Sequence, residues 1–360
     1  MLLTAAAKCI FRQSTVRNDI DCTLTRECAE AFAGWHGLSS ALPPQEPSRG
    51  QMGEQIKAVL AVVDPAAALQ PAMEKAAIIA AATGARLRLF CCDHDPRLTA
   101  RLMLSPDALS AARVGYLRRR REWLESLAGS LEGRGISLEI EAAWDSPLHA
   151  GVLTEISLMK PDLVIKDTGW HAPLRRALFS HTDWRLLQAC PVPLLLTKPR
   201  PWPDSPRVAA AIDPGHPGDP TGLLDRTVLA AARRLAQPIG AILSAVHAYM
   251  PVDAASLSAA AAGMPMIPPV GRMGSEMRDA ASEAVTALLA DQGYLPGSAE
   301  LVEGTAVEVL PGWCEDRAID VLVVGAASRS RLVEAVLGST ADRLLDRIPS
   351  DLLAVRPMRS

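Results

Sequence analysis

A strand-like run ending in Asp-Pro occurs twice in this chain, a domain's length apart. Lys57-Ala-Val-Leu-Ala-Val-Val-Asp64-Pro65 is echoed by Arg207-Val-Ala-Ala-Ala-Ile-Asp213-Pro214, so Asp64 recurs 149 residues later at Asp213. Two more echoes close the units. Asp162-Leu-Val-Ile matches Val321-Leu-Val-Val at an offset of 159 between Leu163 and Leu322. Leu195-Leu-Thr-Lys-Pro199 matches Leu353-Ala-Val-Arg-Pro357 at an offset of 158 between the prolines. A repeat this long is a whole folding unit and far exceeds a solenoid repeat.

Each unit alternates short apolar runs with helical patterns. The first predicts strands near 57–63, 86–92, 137–142, 162–166 and 193–197, with helices near 68–83, 106–132, 147–159 and 182–189. The second predicts strands near 207–212, 239–247, 299–302, 320–324 and 351–355, with helices near 221–236, 275–292, 305–316 and 339–347. Alternation of this kind specifies parallel sheets covered by helices on both faces. The expected fold class is α/β: two tandem five-stranded parallel sheets, each in the order 3-2-1-4-5, Rossmann-like. Ligands of such sheets bind beyond the carboxyl ends of the strands, at the switch point. Asp64, Asp213 and Gly325 fall at such ends.

The expected boundaries are an N-terminal extension at 1–54, a first domain at 55–199, a proline-rich stiff linker at 200–206 and a second domain at 207–357. Residues 1–51 hold no sustained period, and Met52 stands just before Lys57. Met52 is therefore an expected alternative start; a peptide from residues 13–50 found by mass spectrometry of the native protein rules that out.

A chain of 360 residues with 49% hydrophobic residues supplies two cores. A net charge of −3 and only 4% aromatics argue against a nucleic-acid partner. No apolar run reaches membrane-spanning length, and Lys8 and Arg12 interrupt the apolar start. The seven cysteines are irregularly spaced without a CxxC pair, against a disulfide framework or zinc site and in favour of the cytoplasm.

Several constellations invite chemistry without assembling it. Cys91-Cys92-Asp93-His94-Asp95 carries metal-ligand types, but neighbours on a strand point to opposite faces. Arg118-Arg-Arg-Arg121 fans around a helix and reads as a solvated face. Asp64 and Asp213 suit turns as well as catalysis, and His247 at a strand end suits a satisfied core position. No nucleophile, base and orienting acid come together, and Walker A and GxSxG patterns are missing. The loop Ala254–Met273, with Met264, Met266 and Met273 and with Met277 beyond it, reads as an ordinary loop, a lid, or a groove for an apolar ligand.

One stretch carries a ligand signature. Val321-Leu-Val-Val324 is a buried strand ending at Gly325; Ser328, Arg329 and Arg331 follow, and Gly338-Ser339-Thr340 opens a helix. Free amides at a helix start gather an anion, and glycine lets it approach the backbone. Ser339 and Thr340 as simple helix caps are the competing reading.

This stretch resembles the nucleotide loop of the universal stress protein family: Gly, two residues, Gly, nine residues, Gly, then Ser or Thr. Gly325 fits the first position and Gly338-Ser339 the last, with Ser328 in place of the second glycine. Leu104-Ser-Pro-Asp107 with Trp123-Leu-Glu125, Asp162-Leu-Val-Ile-Lys166, Thr182-Asp-Trp-Arg-Leu-Leu187 with Cys190-Pro191, and Pro201-Trp-Pro203 extend the resemblance to roughly 55–357. It implies binding of ATP or another adenine nucleotide, with Mg²⁺ as an accompanying ion. It also implies a cytoplasmic location, pairing of the two domains, a homodimer, no direct nucleic-acid or membrane binding, and a role in stress survival, including resistance to DNA-damaging agents. Asp213 is then expected at the adenosine end, Ala248 beside the adenine, and Gly325, Ser328, Gly338, Ser339 and Thr340 around the phosphates. In the first domain the resemblance sets Lys166 at the first glycine and Ser180-His181 at the closing Gly-Ser. Bulk at Lys166, Trp170 and Pro173 is expected to make that site degenerate. The expected role is a non-catalytic sensor; a weak ATP-hydrolysing enzyme and a scaffold without nucleotide remain the alternatives.

Overall fold

The computed structural model describes residues 55–98, 105–168, 170–171, 176–177, 181–216, 219, 221–250, 270–294, 297–326, 344 and 347–357. The first half contributes β1 (Ala58–Val62), α1 (Pro71–Thr83), β2 (Arg86–Asp93), α2 (Pro106–Gly129), β3 (Leu138–Trp144), α3 (Leu148–Met159) and β4 (Leu163–Asp167). A two-stranded hairpin, β5 (Trp170–His171) and β6 (Arg176–Ala177), precedes α4 (His181–Ala189) and β7 (Leu194–Thr197). The second half runs β8 (Arg207–Ala211), α5 (Leu223–Ala236), β9 (Ile242–Tyr249), α6 (Val270–Asp291), β10 (Ala299–Glu303), α7 (Ala306–Asp316), β11 (Val321–Gly325) and β12 (Asp351–Val355).

Local chemistry sets these ends. Pro71 starts α1, where its missing N–H costs nothing, and Gly84 closes it at φ 70°, a left-handed turn that glycine adopts without strain. Ser105 caps α2, its Oγ accepting from Ala108 N at 3.3 Å. All five residues of β1 are buried, as strands covered on both faces require. They alternate between two core layers. Val59 and Ala61 face the layer of α1, α2, α5 and α6, while Leu60 and Val62 face the layer of α3, α4 and α7.

The five main strands of each half take the order 3-2-1-4-5, and the two sets are joined. One ten-stranded sheet runs β10-β9-β8-β11-β12-β7-β4-β1-β2-β3. Every pairing in it is parallel except β12 with β7, which is antiparallel with Leu353 opposite Leu195. The expected pair of sheets is thus continuous through its fifth strands. These two strands present apolar edges (LLLT and DLLAV) whose N–H and C=O groups are satisfied by pairing with each other.

The register corrects one sequence equivalence. Val59 pairs with Leu163, and Val208, 149 residues after Val59, pairs with Val321. Leu163 therefore corresponds to Val321, an offset of 158, not 159, and the residue matching Gly325 is Asp167 rather than Lys166. The aspartates before these strands confirm it. Asp162 Oδ2 accepts from Lys57 N and Ala58 N at 2.8 and 3.0 Å, and Asp320 Oδ2 accepts from Arg207 N at 2.8 Å.

A buried polar knot closes the seam between the halves. Lys75 of α1 lies 2.7 Å from Asp351 of β12, and each side chain is 3% exposed. Lys75 Nζ also donates to Lys198 O, Lys198 N to Asp351 Oδ1, and Trp202 Nε1 to Asp351 Oδ2. Burial raises the Asp351 carboxyl above the usual range against the pull of Lys75. The linker around Trp202 is thereby anchored to the second half as well as being stiff.

Candidate functional site

In the second half the switch point lies between β8 and β11, and three expected site residues stand at strand ends in and beside it. Asp213 follows β8, Ala248 is the penultimate residue of β9, and Gly325 ends β11. The β8–β9 register, Ala211 against Val246, carries on through a bond from Ile212 N to Val246 O and brings Asp213 level with Ala248. Asp213 N donates to Asp225 Oδ1 of α5 at 2.9 Å, which fixes the backbone beside the strand end. The Asp213 carboxylate is 42% exposed and 3.9 Å from His247 Nδ1. His247 is itself buried, with Nδ1 3.0 Å from Ile212 O, a satisfied core position as expected.

Gly325 has a different neighbour from the one expected. A Cβ there would lie 2.7 Å from Leu224 Cγ and both its Cδ atoms. The space left by the missing side chain is filled by Leu224 in the first turn of α5, so this glycine permits close helix–sheet packing. The amides at the start of α5 are also taken: Leu223 N and Leu224 N donate to the carboxylate of Asp219 at 3.2 and 2.8 Å. At the expected adenosine end the Asp213 carboxylate is partly exposed, while the α5 terminus carries its own anion, Asp219. Ser328, Gly338, Ser339 and Thr340 lie outside the described residues, as do Arg329 and Arg331.

The first half fills the same corner with polar groups. Asp167, the counterpart of Gly325, accepts from Ala72 N in the first turn of α1 at 2.6 Å and from Thr197 Oγ1 at 2.6 Å, both on Oδ1. Its Oδ2 is buried without a hydrogen-bond partner among the described residues, and burial pushes the carboxyl up to about 6. Lys166, expected to obstruct a phosphate, turns away. Its Nζ lies 2.7 Å from Asp183 of α4, on the opposite face. Asp167 is thus the residue the sequence reading missed. The signal was present in the two aspartates, Asp162 and Asp320, that fix the register. Pro173, Ser180 and Gly169 fall outside the described residues, and nothing is described of the Trp170 and His181 side chains.

The remaining constellations resolve into structure. Cys91 and Cys92 point into opposite core layers, and burial pushes both thiols up to about 12, far from a reactive thiolate. Asp64 is a turn residue, its Oδ1 accepting from Ala66 N at 2.8 Å. Arg118 is exposed near Glu122, but Arg120 turns inward, where its Nε donates to Asp93 Oδ2 at 2.8 Å. Of the Met-rich loop, residues 251–269 lie outside the described residues.

Comparison with known proteins gives a consistent family. The family model described as the universal stress protein family matches residues 55–198 and 210–356. Universal stress protein E of Escherichia coli K12 is 27% identical over 300 residues, spanning 83% of this chain and 93% of the relative. The universal stress protein E homolog of Haemophilus influenzae is 22% identical over 259 residues, 71% of this chain and 82% of the relative. Among solved structures, a functionally unknown protein from Pseudomonas aeruginosa PAO1 superposes with a TM-score of 0.64 at 25% identity, covering 85% of this chain and 94% of that one. A universal stress protein from Archaeoglobus fulgidus superposes with a TM-score of 0.57 at 14% identity, over 84% and 100%, which is a likeness of fold.

Proposed function

This chain belongs to the universal stress protein family, and we propose that its second half binds one adenine nucleotide and that the protein acts as a non-catalytic sensor in stress survival. The observation that supports this reading is the placement of Asp213 level with Ala248 at adjacent strand ends beside the switch point, with the Asp213 backbone held by Asp225. A half-exposed carboxylate on a fixed backbone suits the hydroxyls of a ribose, and the small Ala248 leaves room for a base beside it. In this reading Ser328, Gly338, Ser339 and Thr340 surround the phosphates, with Mg²⁺ accompanying them. A cytoplasmic location, a homodimer and protection against DNA-damaging agents belong to the same proposal.

The first half is proposed to bind no nucleotide: both corners are filled, but the first holds the Asp167 carboxylate, which repels a phosphate, where the second holds the uncharged Leu224. A bound nucleotide shifts the protein's behaviour only if it prefers one of two conformations; the sensor role therefore predicts a binding-dependent change in a partner or in hydrogen exchange.

Calorimetric titration with ATP, ADP and AMP tests the binding. One site per chain is expected, weakened about tenfold or more by Asp213→Ala and lost in Gly338→Val. No heat at millimolar nucleotide overturns the proposal in favour of a scaffold. Robust ATP turnover that Gly338→Val abolishes overturns the non-catalytic part alone.

A further inference from the structure

We propose a second small-molecule site, for a small organic anion, in the cavity between the last turns of α5 and the residues that lead into β1. It is independent of the nucleotide reading. The cavity holds about 430 Å³, within the range of ligand pockets. Its wall joins both halves: Gln55 and Ile56 come from the first, and Arg233, Arg234, Gln292 and Tyr294 from the second. Leu229, Ala230 and Pro238 add apolar surface for the body of a ligand.

The charge of the lining favours an anion. Two arginines face it, and no acidic residue is among the described residues that line it. The Arg233 guanidinium stacks on the Tyr294 ring at 4.6 Å and donates to Gln292 O, and it has no acidic partner among the described residues. The Tyr294 hydroxyl, which donates to Leu229 O at 2.7 Å, holds that ring in place. Arg234 reaches Asp162 at 3.1 Å and Gln55 O at 3.3 Å, yet its Nε–H is buried with no partner among the described residues. Buried donors are nearly always satisfied, so an unanswered one beside a cavity points to an acceptor that binds there. Asp162 answers the charge of Arg234, so the Arg233 guanidinium, held on the Tyr294 ring, is the cation that an anionic head group would meet. The volume exceeds a bare inorganic ion, so the fitting ligand carries one carboxylate or phosphate on an apolar or planar body.

The test is calorimetric titration of the full chain with phenyl phosphate, benzoate and inorganic phosphate. Saturable binding of phenyl phosphate or benzoate is expected, tighter than inorganic phosphate, and the preferred one identifies the head group. Arg233→Gln and, separately, Ala230→Glu, which sets a carboxylate in the cavity without removing a contact, are each expected to weaken it about tenfold or more. Gly338→Val is expected to leave it unchanged. Absence of saturable binding for all three probes overturns the proposal. So does binding that both cavity variants leave intact, or that Gly338→Val removes.

Discussion

One corner of the fold is built twice, in opposite materials. In the first half Asp167 stands opposite Thr197 and beside Ala72: a carboxylate, a hydroxyl and a helix amide that bond one another. In the second half Gly325 stands opposite Val355 and beside Leu224, and the same space is filled by a leucine side chain. A small helix residue accompanies the large strand residue in one half, and the sizes are exchanged in the other. Duplication preserved the backbone and the volume while the chemistry diverged. The lesson is that close packing constrains the sum of two side chains more tightly than either one.

The seam shows the same divergence three residues further along each helix. Lys75 is buried against Asp351, whereas its counterpart Thr227 is half-exposed and donates to Leu223 O. Removing one member of a buried pair strands the other, so Lys75→Met is expected to cost about 3–5 kcal/mol in chemical denaturation. Lys75→Met with Asp351→Leu should recover most of that. A Lys75→Met protein as stable as the parent would show that this pair does not hold the halves together.

Asp167 gives the next largest effect, and it depends on pH. Its carboxyl is pushed up to about 6 by burial, above the roughly 3.9 of an unfolded chain. The folded state therefore holds the proton more tightly. The associated stability is fully present below pH ~4 and is lost as pH rises through ~6, by about 3 kcal/mol at most. Asp167→Asn should abolish this dependence, so the stability advantage of the parent over the variant shrinks from acid to neutral pH. An advantage that stays constant across that window would place the Asp167 carboxylate in better solvation than its burial indicates.

Gly325→Asp should cost about 1–3 kcal/mol through overpacking against Leu224. Adding Leu224→Ala and Val355→Thr recreates the first-half corner and should restore much of the loss; simple additivity of the three changes would refute the exchange of volumes. The smallest effect belongs to Thr197→Val, about 1 kcal/mol. It removes the hydroxyl that lowers the Asp167 carboxyl, which should therefore titrate higher still when followed by NMR.

Most of the fold was legible because it rests on local patterns. Strands expected near 86–92 and 351–355 are observed at Arg86–Asp93 and Asp351–Val355, since buried parallel strands are short unbroken apolar runs. The helix start expected near 106 is observed at Pro106, whereas the one expected near 68 falls at Pro71. The candidate site was legible only in part. Asp213, Ala248 and Gly325 were placed at strand ends and are found there, but the Leu224 side chain against Gly325 was not foreseen. Apolar runs such as Leu163-Val-Ile and Val321-Leu-Val-Val match almost equally well when slipped by one residue. That slip put Lys166 where Asp167 belongs, although the Lys166 side chain lies on the other face of the sheet.

The amino-acid order alone determined the duplicated α/β plan, the strand order within each half and the strand ends at which a ligand would be met. These follow from the short-range period of apolar residues and from chain connectivity. Only the tertiary structure decided that the two sheets join through β7 and β12, that Lys75 meets Asp351, and that Asp167 and Leu224 fill equivalent corners. Those facts depend on which side chains share a volume across more than a hundred residues of chain, and no local pattern records a shared volume.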